Sequence, residues 1–346
     1  MYGTFRTYLA LWVVAFHLLS VPLIGQYAVF SFYTLSGFLM TLIMQESYGY
    51  QGDGQRRYAL NRFLRLYPAY WYSVLLTLGI LVLCGAEFLV AYKREMFLPP
   101  NLRSWFFNLT LIFPSISPLT VRPRLSPSSW ALTVELVYYL LIGLGLSKSS
   151  NRTRLWVVLS LGYTIATFFL DPDLGLRYRY SAIPAASLPF ALGSFGYFYR
   201  ESLRSWLDRH QLLKPDLLLI LLTVNGLAWV AIAQTTDFPW TFEGGLYPNI
   251  ALSLILIVTL YYKDLSWVSK GLDRTIGDYS YPLYLLHWPL GALSSYLLFQ
   301  EPLRGWSWAG VQGFLLTLIL GVLASSVVVG VIDPQVNRWR KQIKRS

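Results

Sequence analysis

The chain has 346 residues, 55% of them hydrophobic and only 13% charged, with a formal net charge of +11. That balance excludes a soluble globular domain. Its one cysteine, Cys84, excludes an intrachain disulfide and a thiolate metal cluster, and no metal is expected.

Apolar stretches of about membrane-spanning length recur along the sequence. They fall at roughly 7–24, 27–45, 66–86, 130–146, 155–170, 181–199, 215–234, 247–262, 280–299 and 308–331. The expected fold class is an all-α integral membrane protein of about ten transmembrane helices with both termini cytoplasmic. Residues 1–335 form a single transmembrane domain, and 336–346 a basic cytoplasmic tail. Alternating outward from a cytoplasmic N-terminus puts 20 of the 28 Lys and Arg residues inside, as the positive-inside rule requires. The positive charge therefore follows from topology and anionic lipid, and no nucleic-acid partner is expected.

The first span carries RTYLALWVVAFH. Arg6 and His17, eleven residues apart, return to nearly the same helix face and form one polar stripe about 16 Å long. Ionisable groups at such depth usually serve chemistry or transport. The apolar region is too long for a secretory leader and SVPLIGQ lacks a small-x-small cleavage site, so the span is expected to be retained. The second span holds Ser36-Gly37, small enough for close helix approach or for a ligand chain. Next comes NRFLRLYP. Arg62 and Arg65 share a face, Pro68 suits a first helical turn, and paired guanidiniums can grip phosphate bidentately.

Residues 87–129 are expected as one long outer segment, with six prolines and a short apolar run, LRSWFFNLTLIF, that suits an interfacial or re-entrant element. A lid or acceptor-binding role is expected of it. Asn108-Leu-Thr110 matches the glycosylation sequon. The fourth span opens SPSSWALTVELVYY, placing Glu135 one turn inside the outer edge, at a depth where it can meet His17. The ninth opens GDYSYPLYLLHWPL, which puts His287 roughly 10–12 Å from the cytoplasmic side. His287 is either a site residue or a neutral imidazole hydrogen-bonded between helices.

The succession RTYLALWVVAFH, FYTLSGFL, RFLRLYP, SSWALTVELVYY and IGDYSYPLYLLHWPL resembles acyltransferase family 3, nearly end to end. These are integral-membrane O-acyltransferases acting on bacterial surface polysaccharides among other acceptors. The resemblance implies that Arg6 and His17 form the family's arginine–histidine motif, and that Arg62 and Arg65 are its acyl-CoA-associated pair. Glu135 would be the acidic residue of the serine–tryptophan–glutamate block, with Ser128, Trp130 and Tyr139 around it. Two departures are the absence of an Asp-Gly pair before Arg6 and Leu136 in place of a second acid. The implied location is a bacterial cytoplasmic membrane.

The expected chemistry moves an acyl group, acetyl foremost, from cytoplasmic acyl-CoA to a hydroxyl of a saccharide or lipid-linked glycan. No permanently bound cofactor is expected; acyl-CoA is a substrate, and membrane lipids are the other partner. His17 would be the general base and Glu135 its orienting carboxylate. Arg6, Arg62 and Arg65 would hold the donor, while Ser36, Ser128, Trp130, Tyr139, Tyr281 and His287 shape the site. The sequence leaves direct transfer and an acyl-histidine relay both open. The competing class is a secondary transporter with a proton relay, which inverted repeats would favour; none is seen.

Overall fold

The computed structural model describes residues 2–170 and 172–345, without the side chains of 172–173 and 344–345. Those residues form helices joined by short turns, with no strand among them. In chain order they are α1 (Gly3–Leu18), α2 (Ile24–Ile43), α3 (Gly52–Cys84), α4 (Ala86–Tyr92), α5 (Leu102–Thr110), α6 (Trp130–Gly143), α7 (Ser150–Ala166) and α8 (Pro172–Tyr180). Then follow α9 (Ser187–Phe198), α10 (Arg200–Arg209), α11 (Pro215–Thr235), α12 (Thr241–Tyr262), α13 (Lys270–Phe299), α14 (Trp308–Val327) and α15 (Asp333–Arg345).

Among the described residues, five helices are long and apolar enough to cross a membrane. They cover Ile24–Tyr48, Gly52–Cys84, Pro215–Thr235, Thr241–Tyr262 and Trp308–Ile343. The candidate spans near 7–24, 130–146, 155–170 and 181–199 become helices of 16, 14, 17 and 12 residues. Those shorter elements are fixed by tertiary packing more than by their own length.

Two helix pairs set the frame. Helix α1 lies parallel to α13, and its first turn is capped from there: the Asp273 carboxylate accepts from the Gly3 and Thr4 amides at 3.0 and 2.9 Å. A carboxylate on otherwise orphaned N-terminal amides satisfies two donors and complements the helix dipole. Backbones meet there because Gly3 faces Gly277; a Cβ on Gly277 would sit 2.4 Å from the Gly3 Cα. In the second pair, α2 meets α9 through Gly37 and Gly193. A Cβ would lie 2.2 Å from the Phe190 carbonyl oxygen in the first case and 2.0 Å from the Thr34 carbonyl oxygen in the second. Small residues are what allow such approach in an apolar medium.

Two helices begin earlier than the hydropathy pattern suggests. Helix α3 starts at Gly52, so Arg62, Arg65 and Pro68 lie in its interior and not in its first turn. Helix α13 starts at Lys270, ten residues before the apolar run. Polar first turns extend both helices past the apolar boundary that hydropathy detects.

The segment 87–129 is not a loop lying wholly outside. Ser126 Oγ donates to the Leu285 carbonyl and Ser128 Oγ to the Tyr284 carbonyl of α13, with both serines buried. The chain therefore enters the bundle before α6 begins. Asn108 is fully buried: its amide donates to the Ser104 and Pro123 carbonyls and its oxygen accepts from the Leu125 amide. The sequon asparagine is a structural clasp and presents no acceptor surface. Arg124, also buried, lies 3.9 Å from Glu95 and donates to the Leu119, Val121 and Pro127 carbonyls, closing the same segment. Burial pushes the Glu95 carboxyl up, but Lys93 and Arg124 together hold it below its usual range.

Gly193→Ala should destabilise the protein by about 1–3 kcal/mol, the usual cost of overpacking. Thermal unfolding in detergent reads this as a lowered midpoint, and an unchanged midpoint would show that α2 and α9 can separate freely.

Candidate functional site

The expected polar stripe resolves into two sites at different depths. At the end of α1, the His17 Nδ1 lies 2.8 Å from the His287 Nε2. The two rings are parallel to within 4° with centroids 5.0 Å apart. With the nitrogens so close, they meet edge to edge in one plane, as an N–H···N hydrogen bond requires. The same offset of 270 residues separates Gly3 from Asp273 and His17 from His287, so one parallel register generates both contacts.

The hydrogen bonds fix the tautomers of a neutral pair. His287 Nδ1 lies 2.7 Å from the Tyr284 carbonyl oxygen, which can only accept, so this nitrogen carries the proton. His287 Nε2 is then the acceptor and His17 Nδ1–H the donor. The lone pair of the dyad is left on His17 Nε2. Beside His17 stand Trp288, with ring centroids 4.8 Å apart, and two cations: Lys93 Nζ is 4.4 Å from the Trp288 ring centre, and Arg304 donates to the His17 carbonyl.

The second site is a cavity of about 140 Å³ lined by Arg6, Arg62, Arg65, Glu135, Tyr281 and Tyr284, among others. Glu135 accepts from Ser36 Oγ at 3.0 Å and from Tyr139 OH at 3.1 Å. Tyr281 OH donates to the Leu66 carbonyl, tying α13 to α3 beside Pro68. Trp130 sets its ring edge against Tyr180, 5.5 Å away, and so anchors the start of α6.

Two expectations are corrected by this geometry. Glu135 does not orient His17. Its partner Ser36 lies on α2, eleven residues beyond Gly25, which packs on Phe16; at 1.5 Å per residue that is about 16 Å along the helix from the level of the histidines. The displacement follows from the buried run 126–129, which packs on Leu285 and Tyr284 of α13 before α6 starts. His287 is not near the end where α13 begins. Seventeen residues precede it in the helix, placing it about 25 Å in, level with His17. His287 is thus the hydrogen-bond partner of His17, the place expected for Glu135.

The two sites are joined by Tyr284. Its side chain lines the arginine cavity, its hydroxyl donates to the Ser128 carbonyl, and its own carbonyl accepts from both Ser128 Oγ and His287 Nδ1. Sequence reasoning missed Tyr284, Lys93 and Arg304. Only the YPLYLLH spacing, with Tyr284 one turn before His287, hinted at the first.

Long apolar helices, a buried histidine pair and a cavity rich in arginine define a multi-pass membrane protein with a polar interior. A family model described as an acyltransferase domain, that of acyltransferase family 3, matches residues 3–329. The chain belongs to this family and is a membrane acyltransferase of the O-acyltransferase-like kind. Neither a curated protein nor a solved structure matches it.

Glu135→Leu would orphan the Ser36 and Tyr139 hydroxyls, each at a cost of about 1–3 kcal/mol. Glu135→Gln keeps an acceptor for Ser36 and a donor for Tyr139 and should unfold near the parent temperature. Equal midpoints for all three proteins would show that the carboxylate does not organise the cavity.

Proposed function

We propose that the protein moves an acyl group, acetyl foremost, from cytoplasmic acyl-CoA to a hydroxyl of a surface polysaccharide or glycolipid. The reading takes ten spans with both termini cytoplasmic in a bacterial inner membrane, supported by the distribution of Lys and Arg. Acyl-CoA, membrane lipids and the glycan acceptor are its partners. The observation that carries it is the separation between three arginines at one end of the bundle and a hydrogen-bonded histidine pair nearer the other.

Arg62 and Arg65 grip the pyrophosphate of the donor at the inner mouth, with Arg6 deeper in the same cavity. The extended pantetheine arm then passes Glu135 and Tyr284, bringing the thioester toward His17. The acceptor hydroxyl approaches from outside. His17 Nε2 takes its proton as the hydroxyl oxygen bonds to the thioester carbonyl carbon. Lys93 and Arg304 favour the oxyanion that develops. Collapse breaks the carbon–sulfur bond, and the His17 imidazolium returns the proton to the departing thiolate. Products are the ester and free coenzyme A.

His287 plays the part that a carboxylate plays in a serine-hydrolase triad: it holds the base in one tautomer and accepts a hydrogen bond from the imidazolium. Glu135 keeps Ser36 and Tyr139 in place along the donor passage and offsets part of the arginine charge.

His17→Ala should fold and insert normally and lose about 10²–10⁴ of the acyl-transfer rate. His287→Phe keeps the base but removes its orienting acceptor, and should also slow transfer at unchanged donor affinity. Acylation of surface glycans, measured by mass spectrometry at matched protein abundance, is the readout. Near-parent acylation by His17→Ala would remove the central residue of this reading.

A further inference from the structure

The donor mouth holds more unsatisfied hydrogen-bonding capacity than Arg62 and Arg65 explain. Asn61, fully buried on α3, accepts with one oxygen from Arg62 Nη2 at 2.7 Å and from Arg340 Nε and Nη2 at 3.3 and 3.2 Å. Two guanidiniums thus converge on a single neutral oxygen, an arrangement that like-charge repulsion disfavours unless an anion joins them. Arg340 belongs to α15, which packs along α3, while Asp333 of the same helix lies 3.8 Å from Arg65.

Unpartnered buried donors collect at the same place. Among the described residues, Asn61 Nδ2, Arg57 Nε, Arg62 Nε, Tyr48 OH and Tyr58 OH are buried with no hydrogen-bond partner. Tyr48 and Tyr58 meet edge to face at 5.9 Å, and Tyr48 lies within electrostatic reach of Arg57, Arg62 and Arg340. Buried polar groups are nearly always satisfied, so a cluster of such orphans marks a place for an acceptor-rich group. Each of these groups can donate a hydrogen bond, the arginines add positive charge, and a phosphate dianion offers only acceptors and negative charge.

We propose that Arg340, with Tyr48, Tyr58 and Asn61, binds the 3′-phosphomonoester of the coenzyme A donor, so that the C-terminal helix completes the donor site. This rests on the acyl-CoA reading above and extends it from the pyrophosphate to the second phosphate. A dianionic phosphomonoester supplies the charge that Arg62 and Arg340 lack between them. Asp333 stands at Arg65 as an internal carboxylate that the incoming pyrophosphate displaces. Helix α15 is then a recognition element for the adenosine end of the donor as well as a basic membrane-surface tail.

The test uses the full-length protein in detergent and isothermal titration with coenzyme A and with dephospho-coenzyme A, which lacks only the 3′-phosphate. Arg340→Ala should weaken coenzyme A binding about tenfold or more, the worth of one charge-assisted hydrogen bond, and leave dephospho-coenzyme A binding unchanged. Arg62→Ala should weaken both. Asp333→Asn should tighten both, a change of sign that a damaged fold would not give. Loss of the two ligands in equal measure on Arg340→Ala, or no loss of either, overturns the proposal. So does an Arg340→Ala variant that binds coenzyme A as the parent does but no longer retains phosphatidylglycerol in native mass spectrometry, which would make the ligand a lipid headgroup. A parent protein that binds neither ligand would remove the donor reading itself, and this site with it.

Discussion

The parallel register of α1 and α13 is the constraint on which the rest depends. Asp273 caps the first turn of α1, Gly3 and Gly277 let the backbones touch, and the same offset carries His17 onto His287. A helix rises 1.5 Å per residue, so the cap and the histidine pair are held about 21 Å apart by covalent geometry. Arg6 lies near the capped end, and His17 lies at the other. One rigid pair of helices thus sets the distance between the arginine cavity and the histidine pair.

Neutral histidines suit this environment better than a histidine–carboxylate pair. Burying a charged couple costs several kcal/mol per ion unless every remaining hydrogen-bonding site is filled. The chain Tyr284 carbonyl, His287, His17 uses only neutral donors and acceptors and still leaves one lone pair in a fixed direction. The carboxylate that is present, Glu135, sits where cations surround it: the cavity it lines also holds Arg6, Arg62 and Arg65. Charge is thereby kept in the arginine cavity, and the neutral histidine pair is held apart from it.

Much of this was legible in the sequence at the level of residue type. Histidines inside apolar runs singled out His17 and His287, because ionisable groups are rare there without a purpose, and arginines at the edges of the runs singled out Arg6, Arg62 and Arg65. Partnership was not legible. Hydropathy marks where apolar residues begin, whereas α3 and α13 begin ten or more residues earlier in polar turns. That error moved His287 to the wrong depth. The buried serine run at 126–129 moved Glu135 in the opposite sense, since a polar stretch rich in proline reads as an outer loop whether or not it enters the bundle. The capping aspartate, the Tyr284 bridge and the seat of α15 on Asn61 join residues more than 150 positions apart, and no local pattern announces them.

Sidedness tests the two-ended arrangement most directly. Sealed membrane vesicles of each orientation can be given acetyl-CoA carrying a labelled acetyl group, with endogenous glycan as acceptor and a tag on the C-terminal tail reporting which face is outward. Labelled glycan should form when the donor is supplied on the face that carries the tail, and not when it is supplied only on the face reached by Lys93 and Arg304. Labelling that depends on donor at that second face would place coenzyme A at the histidine end and contradict the assignment of the arginine cavity as its entrance.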